Sequence, residues 1–180
     1  MTGHAPPPEL SFRRASGHDA QRFEHFRCSR GAFYEDEVEQ FVCGVALEHA
    51  LEFAGYNLLV FLEGERLVAV AGHHRENLLA NHGDRTQLIM TTRLQVLALA
   101  TEDQGRHCSD GRRVSALVLD TLINDALVGY EGDVLTAIVA RENLCCLALL
   151  ERHGLRSQVE YDALHVRLSG HFKRKPPIVK

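Results

Sequence analysis

From residue 104 to 115 the chain reads Gln-Gly-Arg-His-Cys-Ser-Asp-Gly-Arg-Arg-Val-Ser. Two glycines and three arginines precede an apolar run with helical spacing: Val114, Leu117, Val118, Leu122 and Ala126 share one face. That spacing predicts a helix from about Gly111 to Val128. A helix N-terminus leaves N–H groups unpaired and carries partial positive charge, so it holds phosphate-like anions. Gly105 and Gly111 allow close backbone approach to such an anion, and Arg106, Arg112 and Arg113 add charge at the same place. In a second segment, ARENLCCLALLERHGL at 140–155, a strand ends, Asn143 opens a helix, and Gly154 closes it.

The elements that position these segments follow from period and punctuation. Leu10 to Arg13 alternates as a short strand, and Ser16 is placed to cap a helix through Phe23 and Phe26. A second helix begins at Glu35-Asp36-Glu37 and stops near Gly55, with Val38, Phe41, Val42, Val45, Ala46, His49 and Phe53 on its apolar side. Asn57–Leu62 and Arg66–Ala71 are strands joined by a turn at Glu63-Gly64-Glu65. Asn81–Asp84 reads as a loop and Thr86–Ala100 as a long extended segment. After the anion-binding helix come a strand (DVLTAIVA), the helix of 142–153, and a closing hairpin. The expected order is β-α-α-β-β-β-α-β-α-β-β. This is an α/β chain with a mixed sheet, in one domain over residues 10–172. A flexible leader covers 1–9 and a basic mobile tail covers 173–180.

Composition narrows the function classes. No apolar run is long enough to span a bilayer, and the opening residues lack the apolar stretch of a secretory signal. Five cysteines, without CxxC spacing, fit neither a disulfide framework nor a zinc site, so no metal is expected and a cytoplasmic location is. The net charge of −4 supplies no global field that would attract nucleic acid.

In the loop and the Asn-headed helix the sequence resembles the GNAT superfamily of N-acetyltransferases. In that family the central strand leads into a loop of the form Q/R-x-x-G-x-G/A. Gln104-Gly105 and Gly111 match it in part. Asn143 and LLERHGL resemble the family's Asn-containing helix and its L-Y-E-K-x-G-F ending, and RSQVEYDALHVRLSG resembles its closing strands. The resemblance spans roughly residues 10 to 170. It implies a central, mostly antiparallel mixed sheet with helices on both faces, and acetyl-CoA as cosubstrate. It implies that backbone N–H groups near Leu97 and Leu99 polarise the thioester carbonyl. Gln104, Gly105, Arg106, Gly111, Arg112, Arg113, Val114 and Ser115 would hold the pyrophosphate, and Asn143 would complete the cofactor site. The sequence departs from the family in three ways. His107–Asp110 lengthens the loop, Arg113 or a neighbour replaces the second glycine, and Leu150 stands where many relatives carry a proton-donating tyrosine. Asp110 adds an anion there, or caps the helix. With no proton on Leu150, the donor falls to water or another group, Cys145 and Cys146 among them.

Amine acetylation also needs a base. The central strand offers only Gln95, whereas His73, His74 and Glu76 follow the preceding strand. Adjacent strand residues face opposite ways, so at most one of the two histidines serves, and the His74–Glu76 side is the candidate. Glu102, at the pyrophosphate end, is a weaker one. Cys145-Cys146 lies on an apolar helix and reads as core filling. The expected activity is transfer of an acetyl group from acetyl-CoA to an amine acceptor. Two alternatives stand beside it. FRCSRGAFYEDEVEQFV is weakly similar to toxin-type members that act on aminoacyl-tRNA, a reading that would need basic residues gathered on one face. A non-catalytic CoA-binding or partner-binding module is the other. A homodimer is left open, and no membrane association is expected.

Overall fold

In the computed structural model, residues 9–82, 85–128 and 134–172 are described. Apart from Glu9, the expected leader and tail lie outside them, as do Gly83 and Asp84. The first strand, β1, is Leu10–Arg14; after a 3-10 turn at Gly17–Asp19, α1 is Ala20–Glu24. Helix α2 occupies residues 33–52 as Phe33–Phe41, a π-helical turn Val42–Ala46, and Leu47–Glu52. Then come β2 (Asn57–Glu63), β3 (Arg66–His82), β4 (Arg85–Leu99) and α3 (Val114–Ala126). The chain closes with β5 (Val134–Ala140), α4 (Leu144–Arg152), β6 (Ser157–Glu160) and β7 (His165–His171).

The strands form one seven-stranded sheet in the order β1-β2-β3-β4-β5-β7-β6. Pairs β1–β2, β5–β7 and β6–β7 are antiparallel; β4 and β5 are parallel, as a helical crossover through α3 requires. Element order matches the sequence expectation; α1 ends at Glu24 rather than running through Phe26, and three other boundaries differ. His73, His74, Glu76, Asn77 and Asn81 lie within β3, which runs well past Ala71. Helix α3 starts at Val114 because Gly111 takes a left-handed φ of 82° and Arg113 bridges back to His107, neither of which is helical. Helix α4 starts after Asn143, whose side chain accepts the Cys146 N–H at 3.0 Å, so Glu142 lies outside it.

The chain groups into two compact units: residues 1–72 with 96–119, and residues 73–95 with 120–180. In the first, Leu58, Val60 and Leu62 alternate onto one face of β2 and join Val70, Val96, Ala98 and Ala100. Phe23 and Phe26 from the α1 segment and Val42 and Ala46 from α2 cover them. Leu59 and Phe61, on the opposite face of β2, are also buried. At its edge, fully buried Asp19 receives both Nη atoms of Arg13 at 2.7 Å, Arg22 Nη1 at 3.2 Å and the Ser16 N–H at 2.9 Å. These donors, the Arg13 hydrogen bond first, hold its carboxyl down to about 2. In the second unit Leu135, Leu155, Val166 and Leu168 are buried, and two backbones nearly touch. A Cβ on Gly170 would lie 2.3 Å from the Gly154 carbonyl oxygen.

Two outcomes follow for stability. Gly170→Ala must force the β7 backbone away from Gly154 and should destabilise by about 2 kcal/mol or more, as overpacking does. Gly44→Ala, where nothing lies within 4 Å of the added carbon, should be neutral or stabilising. Urea unfolding of both proteins checks the contrast. Because the folded Asp19 carboxyl is depressed, its contribution is present above about pH 4 and lost as pH falls toward 2, amounting to about 2 kcal/mol. Asp19→Asn should therefore be less stable than wild type at pH 7, with the gap closing near pH 2 in thermal melts.

Candidate active site

The segment after β4 is built on a buried carboxylate. Asp103, in the 3-10 turn Thr101–Asp103, is 1% exposed. Arg66 Nη2 donates to it at 3.1 Å, and Arg106 Nε lies 2.9 Å from it. Glu63 joins the same cluster, accepting from Arg66 Nη2 at 2.6 Å and Arg106 Nη1 at 2.9 Å. The Arg66 bond is the main reason the Glu63 carboxyl is held below its ordinary range. Arg106 is thus an internal cation that ties the loop to the β2–β3 hairpin. Of the three arginines expected around one anion, Arg106 and Arg112 have carboxylates of this chain beside them. Arg112 Nε donates to Asp110 at 2.6 Å. Asp110 does not cap α3; its carboxylate accepts the Arg112 N–H at 3.0 Å within the loop.

The loop closes on itself. Cys108 N–H donates to Arg112, Gly111 N–H to Cys108, and Val114 N–H to Arg106, at 2.7, 3.0 and 3.0 Å. The amides of Gly111, Arg112 and Val114 are therefore engaged. Among the described residues no hydrogen bond engages the N–H of Arg113 or Ser115, the positions flanking the start of α3. Gly105 and Gly111 are both left-handed, and a Cβ on either would meet nothing within 4 Å. The Gln104 side chain donates to the Cys28 carbonyl at 2.6 Å, which fastens the loop to the segment before α2. There two acids of α2 accept backbone N–H groups: Glu39 from Cys28 and Ser29, Glu35 from Arg30. Leu97 and Leu99 lie past the ladder that pairs Thr92–Leu94 of β4 with Leu135–Ala137 of β5.

In the second unit the histidine pair divides as alternation requires. His73 is buried, and its Nε2 lies 2.7 Å from Asp125 Oδ2 on α3. Glu76, on the other face of β3 with His74, meets a cross-strand row. Thr136 Oγ1 donates to Glu76 Oε1 at 3.0 Å, and Arg93 Nη1 lies 3.6 Å from Glu76 Oε2. Arg93 and Thr136 are register partners on β4 and β5. Arg93 was missed in the sequence; the signal for it was a cation in the middle of an otherwise uncharged run, residues 86–99. Leu150 is 3% exposed, so the position aligned with the family's tyrosine is core. Of the two cysteines read as core filling, Cys145 is exposed, because the cap at Asn143 turns the first residues of α4 outward. Burial pushes the Cys146 thiol up to about 11. A hollow of about 450 Å³ lined by Arg141, Glu160, Tyr161, Asp162 and Ala163 contains none of the candidate residues. No described helix is long and apolar enough to cross a membrane.

This topology is the GNAT fold, and solved structures share it. One is described as an acetyltransferase of the GNAT family from Desulfovibrio desulfuricans; it is 20% identical, with a TM-score of 0.63 over 92% of this chain and 99% of that one. PaiA N-acetyltransferase from Thermoplasma acidophilum, solved with coenzyme A, is 11% identical, with a TM-score of 0.63 over 91% and 99%. A mutant of the AtaT toxin, solved bound to the C-terminus of the antitoxin AtaR, is 14% identical, with a TM-score of 0.57 over 89% and 92%. No family model matches the sequence, and no curated protein matches it.

Asp103→Ala leaves Arg66 and Arg106 facing an emptied, buried site. It should cost about 3 kcal/mol in urea unfolding and speed amide exchange through residues 104–114. Glu102→Ala, which removes only an exposed partner of Arg66 at 3.2 Å, should cost less than about 1 kcal/mol.

Proposed function

We propose that this chain is an acetyl-CoA-dependent N-acyltransferase with Glu76 as its base. The observation that carries the reading is a carboxylate held by Thr136 and Arg93 on a sheet face of a GNAT fold. Helix α3 fits an anion through the N–H groups of Arg113 and Ser115 and the Arg113 guanidinium, with Gly105 and Gly111 leaving room for approach. Gln104, Arg106 and Arg112 support that loop from behind, and Asn143 sets the start of α4. The bound cosubstrate supplies an activated acetyl thioester. Glu76 takes a proton from the acceptor's ammonium, the amine nitrogen bonds to the acetyl carbon, and the carbon–sulfur bond breaks. Water relays the second proton of the attacking nitrogen to the departing thiolate, leaving a neutral amide and a thiol, since Leu150 has no proton to give and the Cys146 proton is held tightly.

Calorimetry with acetyl-CoA and a thiol-release assay over an amine panel test this. Acetyl-CoA should bind, and Arg113→Glu should weaken it at least ~10-fold with the fold intact. Glu76→Gln should lower the maximal rate by ~10²-fold with little change in acetyl-CoA affinity. His74→Ala should have a smaller effect. A wild-type rate in Glu76→Gln removes it as the base. The engaged amides of Gly111, Arg112 and Val114, with Leu150 in the core, favour a second reading, a CoA-binding module without catalysis. That module would bind acetyl-CoA and release no thiol with any amine. The weak similarity of residues 26–42 to toxin-type members also keeps an aminoacyl-tRNA acceptor in the panel.

A further inference from the structure

Strands β3 and β4 run on past the strands beside them. Asn57, the first residue of β2, lies against Gly72: its carbonyl oxygen is 3.2 Å from where a Gly72 Cβ would be. The pairing of β2 with β3 therefore ends there. On the other side β5 begins at Val134, and its register with β4 pairs Leu135 with Thr92. Among the described residues, β3 from Asn77 and β4 as far as Met90 thus form a two-stranded ribbon. Arg93 approaches Glu76, so these two share a face, and alternation puts His73 and Thr92 on the opposite one. On that opposite face exposure changes abruptly. His73, which meets Asp125 of α3, is 5% exposed and Thr92 is 1% exposed. Farther out on the same face, Met90, Leu88 and Leu79 are 57%, 61% and 72% exposed. Thr91 Oγ1 donates to the Glu76 carbonyl at 3.5 Å, and counting from that contact toward the turn sets Leu79 beside Leu88. From Asn77 outward the described side chains on this face are Asn77, Leu79, Thr86, Leu88 and Met90, and none is charged.

We infer that this face of the ribbon is where two copies of the chain meet, Leu79, Leu88 and Met90 of one packing on the same residues of the other. A ribbon of two strands does not bury an apolar face by itself; it needs further strands or a helix against it. The missing cover is apolar, because the face offers no charge with which to select a nucleic acid or a charged peptide. A two-fold contact requires a surface complementary to itself, and an uncharged apolar face meets that requirement without any matching of opposite charges. The area agrees. Three large side chains exposed to this degree present on the order of 300 Å² of apolar surface. Two copies bury about twice that, and with Asn77, Thr86 and the strand backbones at the rim the contact approaches the ~1,000 Å² of a weak, reversible dimer. The contact is independent of the acyl-transfer chemistry.

Sedimentation velocity of the full-length protein, from about 1 µM to about 200 µM, tests this. The wild type should pass from monomer to dimer within that range. Leu88→Glu puts two carboxylates into the apolar contact and should weaken the dimer at least ~10²-fold, with circular dichroism unchanged. Leu79→Ser, a milder change, should weaken it at least ~10-fold and serves if Leu88→Glu does not fold. Leu51→Glu, at a comparably exposed leucine of α2, should leave the dimer as in wild type. A dimer that survives both ribbon variants, or one that Leu51→Glu disrupts equally, overturns the inference. So does a monomer throughout the range. A wild-type monomer that floats with vesicles of phosphatidylcholine and phosphatidylglycerol, where Leu88→Glu does not, assigns the face to a lipid surface instead.

Discussion

A single carboxylate, Asp103, anchors what the first compact unit presents to solvent. Two arginines reach it, one from the start of β3 and one from the loop beyond it, and Glu63 bridges the same pair. With so little water at Asp103, removing either cation would leave charge uncompensated. The turn after β4 is fixed to the β2–β3 hairpin for that reason. The self-closed loop from Arg106 to Val114 and the start of α3 inherit their position from it. Gln104 extends the same fixation to the segment before α2, where acidic side chains receive backbone amides.

In the second unit one strand carries two different kinds of polar chemistry. On one face of β3, His73 is buried against Asp125, a pairing that joins strand to helix. On the other, Glu76 belongs to a row that continues through Arg93 and Thr136, with Ser169 in register on β7. Backbone alternation alone separates them, and a one-residue slip of register would exchange the two faces. The tight approach of Gly154 and Gly170 helps hold β7 in place.

The two units differ in how their charges are satisfied. The Asp103 cluster is closed: each carboxylate has its cation and each cation its carboxylate. Glu76 and Arg93 in the second unit form a looser ion pair, 3.6 Å apart, with Thr136 donating to the same carboxylate.

Much of the architecture was legible in the residues themselves. Apolar periods of two and near 3.6, glycines at turns and an asparagine at a helix start identified the strands and helices in order, because each is a local property of the chain. Those same rules separated His73 from His74 and singled out Glu76. Local pattern did not give the arginines' partners. Arg106 and Arg112 look alike in sequence, and both look available for an anion. Which carboxylates lie within reach depends on strands and turns far apart in the chain: Glu63 approaches Arg106 only once the sheet is formed. Arg93 was overlooked for the converse reason. Its significance lies in the pairing with Glu76, which exists only after strands from distant parts of the chain are brought side by side.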